Sequence, residues 1–565
     1  MSQAYRLLRE GMPDPQGRGA GHFHAEARKV KSWVAALPRA NAQAAQQELE
    51  QALDSLSGQR LDGGSRLAAM EEIRGAVVES IGLLQQQYAG SALPLPAPKA
   101  QAAYQAEAFH LALAHGYRKA AVELCAPAGN IPMLRGGAVG QALERAAFHY
   151  SRALSVAWRV YRAPHVGTWQ GLHRVHSFAV EQKLENKAVE DKVAGTSIEI
   201  RALYVQTLLM AVTNPLAFSQ SEQDSLWQIA RSYAPRCALL KQAPEENAPV
   251  VPEDADRGPG PGAAGESHSQ WLDMRPFSQE VDSAIARQQD GFSELVPARG
   301  VGIRVSAEML VRLKRAFGLA AARSHKRLTA GHELRTVIGL SSLHFHLAGL
   351  RDFDTFMRQS AQHVVHTVTR AEWASGGSTD LARVPVYSAT VRDQSLGGYR
   401  MSWDNAEQIR ARVGELVGIT LAEGDEDPEW MLGVVRWLRY EANGGLSAGV
   451  ELMSRNAVAV GLRIHERDGS IRPAMRGLEI DSLDGGDERC FVAASLPNGE
   501  PLQLDVVRDG DPYAYEAKSL KQDLLAGVDV LMNAGDYSVL RPLRQDLVMA
   551  SEAASEPAPG NGALA

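Results

Sequence analysis

Asp393 and Ser395 stand two residues apart, and Gly398 closes the run DQSLGG. A carboxylate and a hydroxyl spaced this way at a strand end can accept from and donate to the edge of a planar ring. A glycine just beyond them permits a positive φ or a close approach. Guanine suits that chemistry, because its N1–H and amino group match a carboxylate while its O6/N7 edge matches a guanidinium. Arg383, on the segment leading into this strand, can supply the guanidinium to that edge or to a phosphate. The same spacing also describes a plain Asx turn between two strands.

Other chemistries find no footing. The glycines at 17, 19 and 21 have no strand before them and no lysine after them, so they make neither a dinucleotide fingerprint nor a P-loop. H-E-x-x-H, G-x-S-x-G and paired Cys/His spacings are missing. The expectation is a protein that is not an enzyme and holds no metal. Cys125, Cys237 and Cys490 lie more than 100 residues apart, which fits a reducing compartment rather than a disulfide framework. Histidines gather at 325, 332, 344, 346, 363 and 366. In a strand His344 and His346 would share a side, whereas in a helix they point about 200° apart; they are read as core-edge histidines. His176, with Trp169, Leu172, Val175 and Ala179, falls on the inward stripe of a helix and is read as a buried structural imidazole.

The elements that position these residues follow from length and period. A chain of 565 residues exceeds what one core supports and calls for three or four domains. Its 45% hydrophobic and 22% charged residues mark it as folded, and a net charge of -7 gives no general attraction for nucleic acid. No apolar run is long enough for a signal peptide or an integral membrane segment, so the expected location is cytoplasmic.

After a flexible N-terminus at 1–25, residues 26–240 carry the helical period. Leu49, Leu53 and Leu56 line one stripe and Ile73, Val77, Ile81 and Leu84 another, with further helices over 102–124, 139–161 and 196–213. Ser219 and Glu222 have capping-box spacing for one more. Residues 241–270 are acidic and rich in Pro and Gly, and read as a linker or long exposed loop. Residues 271–375 give mixed α/β signals, and RTVIGLSSLHFHLAGL suits strand or helix equally by pattern. From 378 to 465 the period becomes two, in short runs separated by turns, as in a small antiparallel barrel. A second β unit, read as a diverged barrel, is expected over 470–548, before a disordered tail at 549–565. The fold class is therefore multidomain α+β: an N-terminal helical bundle, a small antiparallel β-barrel and a second β unit.

The DQSLGG run matches the D-x-S-x-x-G motif of PilZ domains, and the downstream strands LGVVRW and AGVEL stand in the order found there, so residues 378–460 resemble such a domain. The resemblance implies a six-stranded antiparallel barrel of a family in which many members bind cyclic di-GMP and pass the signal on. In binding members Asp, Ser and Gly of this motif contact guanine, which maps to Asp393, Ser395 and Gly398. Those members also carry R-x-x-x-R just before the first strand. Arg383 fills the second arginine position ahead of VPVYSATV, but Thr379 stands at the first. A complete R-x-x-x-R at Arg472 and Arg476 precedes IDSLDGG, which lacks the motif spacing, and is read as a salt-bridged surface. Two functions follow as expectations. One is a non-catalytic signalling protein that binds cyclic di-GMP and engages a protein partner through its helical domain. The other is a degenerate PilZ-like scaffold acting in protein interaction without nucleotide.

Overall fold

The computed structural model describes residues 2–12, 23–91, 94–245, 248–260, 269–289, 291–296, 302–318, 328–362, 384–404, 409–421, 429–441, 444–465, 472–481, 489–494, 503–508, 524–525, 528–533 and 537–542. Helices α1 (Gln3–Arg9), α2 (Ala27–Ala35), α3 (Ala42–Gly58), α4 (Gly63–Tyr88), α5 (Ala97–Leu124), α6 (Gly136–Arg159), α7 (Thr168–Glu181), α8 (Ile200–Val212) and α9 (Gln220–Tyr233) build the N-terminal bundle. The expected flexible N-terminus is helical over Gln3–Arg9 instead, because Tyr5 and Leu8 are buried in the bundle and the Tyr5 hydroxyl donates to the Val122 carbonyl at 3.0 Å. The stripes expected on α3 and α4 are buried in the bundle's core. Ser219 and Glu222 form the capping box that starts α9. Residues 196–199 are strand rather than helix: TSIE pairs with Ala188–Asp191 as a hairpin, and the helix begins only at Ile200.

That hairpin is anchored by charge. Asp191, buried, accepts two hydrogen bonds from the buried guanidinium of Arg74, at 2.7 and 2.5 Å. Arg74 Nε donates to His149 Nε2 at 2.9 Å, which leaves His149 Nδ1 to face His110 Nδ1 at 3.0 Å. Burial pushes the neighbouring Glu144 carboxyl up to about 7, against the pull of Arg145. Buried ions persist only when paired in this way.

The expected linker departs from its reading. Val250–Pro252 is buried and pairs with Ser269–Asp273, which also pairs with Ala238–Leu240. Asp256 accepts from the backbone N–H groups of Gly167 and Gln170 at the start of α7, and His173 Nε2 donates to the Arg257 carbonyl at 2.9 Å. A segment poor in large apolar residues is thus held by helix capping and by two valines. Helices α10 (Arg275–Ala286), α11 (Ala307–Gly318), α12 (Leu340–Leu347) and α13 (Phe353–Gln362) follow.

The first barrel is made of β1 (Glu333–Ile338), β2 (Tyr387–Ser395), β3 (Gly398–Trp403), β4 (Leu416–Leu421), β5 (Met431–Tyr440) and β6 (Leu446–Ser454). All neighbours are antiparallel, in the ring order β4-β1-β2-β3-β6-β5 with β5 returning to β4, so the sheet closes. Leu334, Ala389, Val391, Met401, Val417, Ile419, Val435 and Val450 fill it. Trp403 Nε1 donates to Thr336 Oγ1 at 3.0 Å within it. Its first strand comes from the segment left ambiguous by pattern, well upstream of 378. RTVI is strand and LSSLHFHL is helix, divided at Gly339, whose φ is 88°.

The next run, Ala457–His465, does not belong to this barrel, although the sequence boundary at 465 had included it. It opens a second sheet as β7, followed by β8 (Met475–Asp481), β9 (Arg489–Ala494), β10 (Gln503–Arg508), β11 (Val528–Asn533) and β12 (Tyr537–Pro542). Their order is β10-β7-β8-β9-β12-β11, the order of the first barrel shifted by six. Among the described residues this ring stays open between β10 and β11, and Leu524–Leu525 pairs with β10 there. The C-terminal unit therefore repeats the barrel topology around its own core of Val460, Leu462, Phe491, Leu504 and Leu540. A separate cluster, with Val337, Leu416, Leu432 and Val434 from the first unit and Leu478, Ile480, Val492 and Val539 from the second, joins the two around Leu343 of α12. His344 sits in this seam, donating from Nε2 to the Val460 carbonyl at 3.2 Å.

Candidate functional site

Strands β2 and β3 form a tight hairpin in which Ser395 faces Gly398, Gln394 faces Tyr399 and Asp393 faces Arg400. Directly opposed residues share a face of the sheet. A bulge at Arg392 interrupts the register just before Asp393, and such bulges re-aim the side chains that follow. The result gathers Asp393, Ser395, Arg400 and Arg392 on one face. Arg400 Nη1 lies 3.7 Å from Asp393 Oδ2, while its Nε is buried without a hydrogen-bond partner. Arg392 donates to Ser402 Oγ at 2.7 Å. Ser395 Oγ donates to the Gly398 carbonyl at 3.4 Å.

Gly398 is required by close packing. Its φ is 152°, and a Cβ there would overlap the Val450 carbonyl oxygen and stand 3.0 Å from Glu451 Cα. The same face continues onto β6 and β5, where Gly449 lies opposite both Arg400 and Trp437. Glycine at 449 leaves the half-buried Trp437 indole lying over the backbone, since a Cβ would come within 2.5 Å of Cε2. Three guanidinium- or carboxylate-bearing strand residues and an aromatic plane thus adjoin one another. That arrangement offers hydrogen bonds to a base edge, a cation for phosphate and a surface for stacking.

Asp393, Ser395 and Gly398 lie together at the end of the β2–β3 hairpin. Arg383 and Thr379 lie outside the described residues. Arg392, Arg400 and Trp437 were missed by sequence reasoning, although strand alternation from Asp393 through the two-residue turn would have placed Arg400 opposite it.

A further pair becomes visible once the first strand is known to be Glu333–Ile338. The residues before that strand read RSHKR, a complete R-x-x-x-R at Arg323 and Arg327. They too lie outside the described residues, but Arg327 directly precedes Leu328, whose backbone is paired with Gln394, next to Asp393.

His344 and His346 are on helix α12 and do not converge. No group of three or more His, Cys, Asp or Glu able to hold a metal occurs among the described residues. No helix among them is long and apolar enough to cross a membrane. His176 is buried and stacked on Tyr204, ring centroids 3.9 Å apart.

Comparison with known proteins agrees with this architecture. Residues 28–245 match the family model described as the N-terminal domain of the cyclic-di-GMP receptor FimW. Residues 261–381 and 373–458 match that of its middle PilZ domain, which starts far enough upstream to contain β1. The cyclic-di-GMP receptor FimW of Pseudomonas aeruginosa is 24% identical over 525 residues, covering 84% of this chain and 84% of the relative. No solved structure matches. With its helical bundle and closed barrel in this order, one matched by each model, the chain has the domain architecture of FimW-type PilZ-domain proteins.

Proposed function

We infer that the face formed by β2 and β3 binds cyclic di-GMP, and that the protein is a non-catalytic receptor whose helical domain engages a protein partner. The observation that carries the reading is the hairpin itself. Asp393, Ser395 and Gly398 are held at one strand end, with Arg400 beside them and the Trp437 ring across Gly449. In this reading Asp393 accepts from guanine N1–H and the amino group, Trp437 stacks on a base, and arginines meet the phosphates. Arg323 and Arg327 are the arginine pair best placed by sequence, and Arg383 remains the third candidate. The named activity of the Pseudomonas aeruginosa relative points to the same ligand. A cytoplasmic site of action suits a nucleotide messenger.

The rival reading is a scaffold that keeps the barrel without the ligand, and the ion pair already made between Asp393 and Arg400 favours it. Isothermal titration of the full chain with cyclic di-GMP, against GTP and cyclic AMP, separates the two. Saturable binding of cyclic di-GMP alone supports the receptor; absence of heat with all three leaves the scaffold.

A further inference from the structure

Two routes run from the barrel to one helix end in the bundle. The first begins at the motif hairpin. Gly398 is paired with Glu451 on β6, and the Leu452 N–H donates to the Gly397 carbonyl at 2.9 Å, so hairpin and strand form one hydrogen-bonded unit. The Glu451 carboxylate accepts from Arg436 Nε at 2.5 Å, and Arg436 Nη1 lies 3.5 Å from Glu308 of α11. Glu308 is 3.8 Å from Arg312, one helical turn on. Arg312 is paired with Glu222 and also donates to the Ala217 carbonyl at 2.9 Å.

The second route is neutral. The Tyr440 N–H at the end of β5 donates to the Tyr161 carbonyl at 2.8 Å, and Tyr161, although it follows α6, is part of the barrel's core cluster. Its hydroxyl donates to the Phe218 carbonyl at 2.8 Å.

Both routes arrive at residues 217–222. There Glu222 has a divided role, since its Oε2 also accepts the Ser219 N–H at 2.8 Å as half of the capping box of α9. The side chains of Arg312, Glu308, Glu222 and Arg436 are each less than a quarter exposed, so water screens them little. In a chain of shared carboxylates and guanidiniums, drawing one group away redistributes the partners of the next.

We propose that the N-terminal turn of α9 is the output of the barrel, set by the chain Glu451–Arg436–Glu308–Arg312–Glu222. A change at the hairpin alters how firmly Glu451 holds Arg436. That alters the share of Glu308 left to Arg312, and with it the division of Glu222 between Arg312 and the helix cap. The first-turn N–H groups of α9, which have no intrahelical acceptor, register the outcome. The proposal rests on the cyclic di-GMP reading for its natural input only, because the chain itself can be perturbed without ligand.

Amide exchange over residues 217–226 of the full chain is the test, in wild type, Arg436→Gln, Arg312→Gln and the double variant, with Arg436→Lys as a folded, charge-preserving control. Arg436→Gln, a change in the barrel, is expected to alter exchange there at least threefold. It should have no further effect once Arg312→Gln is present, and Arg436→Lys should restore most of the wild-type rate. Unchanged exchange in Arg436→Gln, or effects of the two substitutions that simply multiply, would overturn the proposal. Added cyclic di-GMP should shift exchange over 217–226 in wild type and not in Arg312→Gln. If titration shows the nucleotide bound and the segment does not respond, the relay is wrong; if the nucleotide does not bind, the ligand reading falls and the ligand-free variants still decide the relay.

Discussion

Gly398 and Val450 approach so closely across β3 and β6 that a side chain at 398 would overlap the Val450 carbonyl oxygen. The glycine that closes the motif is therefore a packing requirement of the barrel. Gly398→Ala is expected to destabilise the barrel by about 3 kcal/mol through overpacking and the positive φ. Urea unfolding followed by tryptophan fluorescence, with Trp403 inside the barrel, would show it as a lower midpoint for that unit.

Charge-assisted contacts should dominate the ligand. Arg327→Ala and Asp393→Asn are each expected to weaken cyclic di-GMP binding tenfold or more, about 1.4 kcal/mol or above, while Ser395→Ala costs less because only a neutral hydroxyl bond is lost. Arg383→Ala distinguishes the arginine sources. Titration of these variants, each checked for fold by circular dichroism, should place the larger loss at 327 rather than 383.

In the proposed site Trp437 would supply stacking without sequence-specific hydrogen bonds. Trp437→Leu keeps apolar cover over Gly449 but removes the ring, and is expected to cost about 1–3 kcal/mol of binding. Quenching of tryptophan fluorescence by the nucleotide in wild type, and its reduction in the variant, would check this directly.

Buried imidazoles make the helical domain sensitive to acid. Burial pushes His176 down to about 3, against about 6.5 for a free ring. Between these values the unfolded chain takes up a proton that the folded chain refuses, so stability present at neutral pH is lost as pH falls below about 6.5. At pH 5 this ring accounts for about 2 kcal/mol of that loss. His176→Phe, which preserves a ring against Tyr204, should show a smaller drop in bundle stability between pH 7 and pH 5 than wild type. Denaturation followed by circular dichroism at the two pH values is the measurement.

Much of the fold was legible because its signals are local. The spacing of Leu49, Leu53 and Leu56, the capping box at Ser219 and Glu222, and the hairpin DQSLGG each lie within about a dozen residues, and the structure contains them all. The stretch 196–199 was misread because four residues of strand run straight into a helix, and only pairing with Ala188–Asp191 separates them. The segment 248–260 was misread because Asp256, a backbone carbonyl and only two buried valines hold it, too few apolar residues to make a pattern.

What the sequence determined by itself was the kind of most elements and the close spacing of Asp393, Ser395 and Gly398 in one hairpin. Strand partnership was decided only in three dimensions. Glu333–Ile338 pairs with Tyr387–Ser395 although α12 and α13 lie between them in the chain, and Ala457–His465 leaves the first barrel for the second although two residues separate it from β6. In sequence, Arg323 and Arg327 thus precede the first barrel strand and Arg383 the second. The ion chain from Glu451 to Glu222 likewise joins residues more than 200 positions apart. Alternation and helical period record which face of an element is buried, but not what buries it; that depends on chain closure over long loops, where burial and pairing energies, not local propensity, select the partner.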